Sequence, residues 1–135
     1  MENYNISASI VVYNSPEDAF QTVETVLENT KDYDFTNVFK NIAKYTQNAD
    51  ITIGNLETTF AGASRGYTGY PTFNTPEVLG KNLRDIGFDV ICTANNHSMD
   101  TNYKGLVSTL GYLDDAGISH TGTYSSAEAQ DEILI

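Results

Sequence analysis

Tryptophan is absent from the 135 residues, cysteine occurs once and proline three times. The lone thiol, Cys92, excludes an internal disulfide and any zinc cage built on cysteines. It sits in an apolar run with no basic neighbour in sequence, so it reads as an inert core thiol. Cations are scarce too: Lys and Arg total 7 against 18 Asp and Glu, a net charge of −11. Nucleic acid and anionic membrane surfaces would repel such a chain, so neither is an expected partner, whereas recruitment of a cation suits it. There is no apolar run of about 18 residues, the length a membrane-spanning helix needs. Met1-Glu2-Asn3-Tyr4-Asn5 lacks the basic and apolar regions of a signal peptide, so any export signal or anchor is expected outside this chain.

What is present is a globular composition, 40% hydrophobic, on a length that suits one domain over residues 1–135. Ile6 to Tyr13 is β-branched and reads as a strand. Ser15-Pro16-Glu17-Asp18 opens a helix by capping box and first-turn proline, with Phe20, Val23, Val26 and Leu27 behind it. A second helix is predicted from Asp34 or Thr36 to Gln47-Asn48, its inner stripe Val38, Phe39, Ile42 and Ala43. Ala49 to Ile53 reads as a strand. Gly54 to Tyr70 is a long polar connection of the kind that is usually functional or mobile. Thr75-Pro76-Glu77 starts a helix with Val78, Leu79, Leu83 and Ile86 inward, and Gly87 stops it. Phe88 to Ala94 reads as a strand covered on both faces. A helix from Tyr103 to Ala116 follows, with Leu106, Val107, Leu110 and Leu113 inward. Ile118 to Thr121 is a further short strand, and Ser125 to Glu128 a helical turn. Glu24, Glu28, Asp32, Asp114 and Asp115 fall on outward positions. This alternation predicts an α/β fold with a largely parallel sheet and flanking helices. Ile133-Leu134-Ile135 looks like a strand cut short, whose sticky edge would pair with something outside this chain.

In parallel sheets ligands sit beyond the carboxyl ends of the strands. Two such ends are unusually polar: Ile51-Thr52-Ile53 runs into Gly54-Asn55-Leu56-Glu57, and Ile91-Cys92-Thr93-Ala94 into Asn95-Asn96-His97-Ser98-Met99-Asp100. On one sheet edge Asn55, Glu57, Asn96, His97 and Asp100 would converge. Carboxylate and amide oxygens suit a divalent metal, and the imidazole suits a ligand or a general acid. The plainer alternative is that Asn55 and Asn95 supply turn conformations and side-chain caps. Tyr67 and Tyr70 flank glycines in the long loop and either pack on a ligand or line a half-buried rim. His120 is expected to be a turn or edge residue.

The ordered series Tyr33-Asp34-Phe35, Ala49-Asp50-Ile51, Gly54-Asn55-Leu56-Glu57, Tyr70-Pro71-Thr72-Phe73-Asn74-Thr75-Pro76, Gly87-Phe88-Asp89-Val90 and Ala94 to Asp100 resembles the bacterial capsule-synthesis CapA family. Gly105-Leu106 with Thr109, Ala116-Gly117-Ile118 and Thr121-Gly122 continue it, so that the resemblance covers Tyr33 to Ile135. That family is linked to poly-γ-glutamate synthesis and belongs to the calcineurin-like metallophosphoesterase superfamily. The resemblance implies a layered α/β sandwich with a metal site at the strand ends. By it, Asn55 stands at a bridging-ligand position, Glu57 takes the acidic role, and Asn96 stands at a metal-ligand asparagine. His97 stands at the histidine assisting the leaving group, and Asp100 orients it. Tyr70, Phe73 and Asn74 line a substrate groove, with Asn95 on the same side.

Two departures limit the carry-over. The family's first strand ends in Gly-Asp, whereas here it reads Ile10-Val11-Val12-Tyr13-Asn14; Asn14 or Asp18 are partial substitutes. The family's later histidine motifs fall beyond Ile135. The expectation is therefore the N-terminal and central part of a CapA-like domain, cut short at its C-terminus and inactive alone. The parent would use manganese, iron, zinc or magnesium, with none necessarily held by this fragment. It would act outside the cytoplasm at the cell surface, with other synthase subunits, on an anionic polymer or phosphoester. The competing expectation is a non-catalytic binding or scaffold subunit that keeps the fold without a complete metal site.

Overall fold

A computed structural model describes residues 33–131 of the chain. The predicted strand at Ile6 to Tyr13, the helix after Ser15, the substitutes Asn14 and Asp18, the outward residues Glu24, Glu28 and Asp32, and Ile133 to Ile135 lie outside the described residues.

Helices and strands alternate as α1 (Thr36–Thr46), β1 (Ile53–Asn55), α2 (Val78–Asp85), β2 (Val90–Cys92), α3 (Asn102–Asp115), β3 (Ser119–Thr121) and α4 (Ala127–Gln130). The strands form one sheet in the order β1-β2-β3, and both pairings are parallel. Gly54 lies opposite Ile91, and Ile91 opposite His120. This is the expected α/β arrangement, a parallel sheet with flanking helices.

The core forms where helical stripes meet the sheet: Phe39, Leu83, Ile86, Phe88, Ile91 and Leu113 are all buried. The α1 entry is tied in by polar contacts. The Phe35 amide donates to the buried Asn82 Oδ1 at 3.0 Å. The Thr36 hydroxyl, and then its amide, donate to Asp34 and hold that carboxyl below its usual pKa. Gly87 (φ 98°) and Gly117 (φ 71°) end α2 and α3 as their sequence positions imply.

Three details differ from the sequence pattern. The first central strand starts later than Ala49, at Ile53. Its inner positions are taken by Thr52 (1% exposed) and Gly54, while Ile51 and Ile53 are turned partly to solvent. Thr52 belongs inside because its hydroxyl donates to the Thr46 carbonyl and its amide to Asp89. Gly54 belongs inside because a Cβ there would lie 2.5 Å from the buried Phe88 ring. Val38 and Val107, predicted inward, are exposed; Thr46 and Thr109 take inner positions on the same helices. Their hydroxyls bond carbonyls of the preceding turn, which makes a threonine compatible with the core. Finally, Thr75 does not cap α2. Its hydroxyl meets that of Thr58 at 2.7 Å, and Glu77 occupies the cap position without a side-chain bond.

Candidate functional site

Because β1 and β2 run parallel side by side, their polar tails leave the sheet at the same edge. Pairing continues one step past β1, where the Leu56 amide donates to the Cys92 carbonyl at 3.0 Å. Asn95 then ties the two tails together. Its Nδ2 donates to the Leu56 carbonyl at 2.8 Å and reaches Asn55 Oδ1 at 3.4 Å. Its Oδ1 accepts the His97 amide at 2.9 Å. Asn55 in turn donates from Nδ2 to Glu57 Oε2 at 2.8 Å. A continuous hydrogen-bonded run thus links Glu57, Asn55, Asn95 and the backbone of His97.

The turn holding His97 is built by its own short side chains. Ser98 Oγ accepts the Asn95 amide at 3.0 Å and donates to the Thr93 carbonyl at 3.0 Å. The Asp100 amide donates to the His97 carbonyl, and the loop closes at Asn102 in the left-handed region (φ 62°), which asparagine tolerates. Serine three residues after Asn95 is a turn signal readable from sequence, although Ser98 was not among the predicted site residues.

His97 is held on two sides. Its Nδ1 lies 2.9 Å from Asp100 Oδ2, the two side chains 15% and 14% exposed. The Phe73 ring meets the imidazole edge-on, centroids 4.6 Å apart. The same Asp100 oxygen accepts the Phe73 amide at 2.7 Å, so one carboxylate anchors both the imidazole and the long loop.

The loop between β1 and α2 is closely tied. Asn74, 1% exposed, is its hub. The Asn74 Oδ1 accepts the Ala61 amide at 2.7 Å, and its Nδ2 donates to the carbonyls of Gly62 and Gly66 at 3.2 and 2.7 Å. Its backbone pairs with Thr68 in both directions. Below it, the Thr101 hydroxyl donates to that of Thr59, which donates to the Phe73 carbonyl. Gly105 makes room for this contact: a Cβ there would lie 1.8 Å from Thr101 Oγ1. Neither Thr59 nor Thr101 is marked by any local sequence signal, since both act through long-range partners.

The predicted residues therefore fall into groups. Asn55, Glu57, Asn95, His97 and Asp100 are joined by hydrogen bonds at one crest. Phe73 touches that crest, with Tyr70 against it at 6.4 Å between ring centroids. Asn96 is exposed on the same turn. Asn74 points into the loop, with its amide committed to backbone rather than facing a groove. Tyr67 also turns inward: its hydroxyl donates to Glu77 Oε2 at 2.9 Å and its ring meets Tyr33 edge-on. Burial, and then the Glu77 contact, push the Tyr67 phenol up to about 12. His120 lies on β3, as an edge residue, with Nε2 3.1 Å from Asp114.

A divalent cation requires several donors aimed at one point. Among the described residues, no group of three His, Cys, Asp or Glu side chains is placed to hold a metal ion. Glu57 is the one carboxylate beside Asn55, and Asp100 is engaged by Phe73 and His97. The described crest does not by itself fit a metal. Among the described residues, no helix is long and apolar enough to cross a membrane.

The family model for bacterial capsule synthesis proteins (PGA_cap) matches residues 12–135. Two curated proteins of Sinorhizobium fredii (strain NBRC 101917 / NGR234), the uncharacterized proteins y4sH and y4uA, are each 36% identical to this chain over 95 residues. The match covers 65% of this chain and 20% of either relative, so the chain spans about a fifth of the length of the curated relatives it matches.

Proposed function

The chain belongs to the bacterial capsule synthesis protein family, and we propose that its strand-end crest is where a longer parent protein handles the capsule polymer or a phosphoester-linked precursor of it. The observation that supports this most directly is the fixed imidazole. Asp100 Oδ2, 2.9 Å away, accepts a hydrogen bond from Nδ1–H of the ring, which leaves Nε2 as the proton-handling atom. On this reading His97 protonates the oxygen that leaves when a polymer or precursor linkage breaks. Asp100 positions the ring, and Glu57 and Asn55 face the reacting group from the neighbouring strand.

The site would work outside the cytoplasm, beside other subunits of the polymer machinery, and poly-γ-glutamate is the polymer named by the sequence resemblance. A metal enters this reading only through donors beyond residues 33–131 that complete what Asn55, Glu57 and Asn96 begin.

The test is surface polymer produced by a capsule-forming host whose full-length parent carries His97→Ala or Glu57→Ala. Loss of a general acid should lower output by about 100-fold. Unchanged output from both variants overturns the reading.

A second reading is a binding or scaffold role without turnover. It is favoured by the incomplete donor set among the described residues. Hydrolysis of a generic phosphodiester by the purified parent with added manganese would exclude it, whereas full polymer binding and normal capsule in the His97→Ala host would support it.

A further inference from the structure

We propose that Asn95 is the positioning residue of the crest: its side-chain amide replaces a rung of the β1–β2 ladder and so fixes where His97 and Glu57 stand, without itself touching the polymer. The inference rests on the crest being a polymer-handling site. In a parallel ladder, a residue whose amide donates to one carbonyl of the neighbouring strand receives, at its own carbonyl, the amide two positions further along that strand. The register pairs Asn55 with Cys92, and the Leu56 amide donates to the Cys92 carbonyl at 3.0 Å. The Leu56 carbonyl is then due the amide of Ala94. It receives Asn95 Nδ2 instead, at 2.8 Å.

The opposite flank of β2 shows the same exchange. The Thr93 amide donates to the Thr121 carbonyl at 2.8 Å, so the Thr93 carbonyl is due the Thr123 amide. That amide donates to Thr93 Oγ1 at 3.1 Å, and the freed carbonyl accepts Ser98 Oγ at 3.0 Å. Gly122 (φ 102°) lets the β3 tail lie this close, since a Cβ there would be 2.8 Å from that of Ala94. Side chains thus take over the ladder on both flanks, at the point where the β2 backbone leaves the sheet to form the His97 turn.

Of these side chains, Asn95 is the one joined to both halves of the crest. Its Oδ1 accepts the His97 amide at 2.9 Å, and its Nδ2 reaches Asn55 Oδ1 at 3.4 Å. An amide whose oxygen faces one partner presents its nitrogen to the other side, and Asn55 Nδ2 is accordingly 2.8 Å from Glu57 Oε2. Asn95 therefore sets the backbone beneath the imidazole and the orientation of the amide that holds the carboxylate. Both ends of its own amide are engaged within the protein, so it acts through His97 and Glu57. Aspartate in its place would keep the acceptor but offer no donor to the Leu56 carbonyl, and alanine would offer neither.

The experiment compares Asn95→Ala and Asn95→Asp by nuclear magnetic resonance of the chain, and by surface polymer from a host whose full-length parent carries each change. Exchange of the His97 amide should speed up by about tenfold or more in Asn95→Ala, which removes its acceptor, and stay slow in Asn95→Asp, which keeps one. The Asn55 side-chain amide should gain picosecond–nanosecond motion in both variants. The Phe88 and Ile91 amides on the sheet side should keep their protection. Polymer output should fall about tenfold in each variant, because a displaced proton donor is slowed but still present. An unchanged His97 amide in Asn95→Ala, with or without lost output, would overturn the assignment. Loss of protection spreading equally to Phe88 and Ile91 would overturn it too, since the residue would then serve general stability. If the resonance signatures fail while His97→Ala still lowers output, the catalytic reading stands without this positioning role. If they hold while His97→Ala leaves output intact, the catalytic reading falls and Asn95 still sets the geometry of the crest.

Discussion

Phe88 and Asn74 are equally buried, each 1% exposed, yet they hold their surroundings in opposite ways. Phe88 lies under Gly54 and packs with Ile91, Ile86 and Leu83, none of which needs a particular direction from it. Asn74 satisfies one amide and two carbonyls of the loop between β1 and α2, each of which needs it in one direction. Contacts of the first kind are graded by volume and area. Those of the second kind depend on direction, and all three meet at one 1%-exposed side chain, so an apolar replacement loses them together. The sheet side should therefore tolerate change and the loop side should not.

That contrast is open to measurement by urea denaturation of single variants. Asn74→Leu, close in size but unable to bond, should cost about 3–5 kcal/mol, since three hydrogen bonds to the loop backbone are lost at once. A loss below that of any core variant would mean water replaces the amide and the loop is softer than described. Gly105→Ala should cost about 2–3 kcal/mol by driving Thr101 off Thr59. Phe88→Leu should cost only about 1–2 kcal/mol despite equal burial, because the neighbours can close on a smaller apolar group. If it matches Asn74→Leu, the distinction between the two sides collapses.

The smallest effect sharpens the comparison through pH. Tyr67→Phe removes one bond to Glu77 and should cost about 1 kcal/mol near neutrality. The folded phenol is raised to about 12 from an ordinary value of 10.0, so folding favours its protonated form. The difference between the two proteins should be constant below pH 10 and fade as pH rises from 10 towards 12. Ultraviolet titration should show one tyrosine ionising later than the exposed ones, and that late step should vanish in Tyr67→Phe.

The same division explains what was legible in the sequence. Apolar periodicity placed α1, α2 and α3 and located all three strands approximately, because area burial leaves a local pattern. It failed where a threonine or glycine stood inside: Thr52 and Gly54 displaced Ile51 and Ile53, and Thr46 and Thr109 took inner positions while Val38 and Val107 faced out. A threonine's fitness for the interior depends on a carbonyl elsewhere in space, which spacing does not reveal. At the crest, the placing of Glu57 and His97 at one sheet edge, linked through Asn55 and Asn95, follows from parallel topology. Asn95 proved to be the bridge between the two strand tails, as turn chemistry allows, while Asn74 and Tyr67 turned inward for partners that no local pattern announces.

Asp100 offers a single oxygen to two claimants, the Phe73 amide and the His97 ring. A flap that swung outward to admit a bulky chain would strip the imidazole of part of its anchor in the same motion. Loop and ring are thus geared through one atom, and neither can shift without the other giving way.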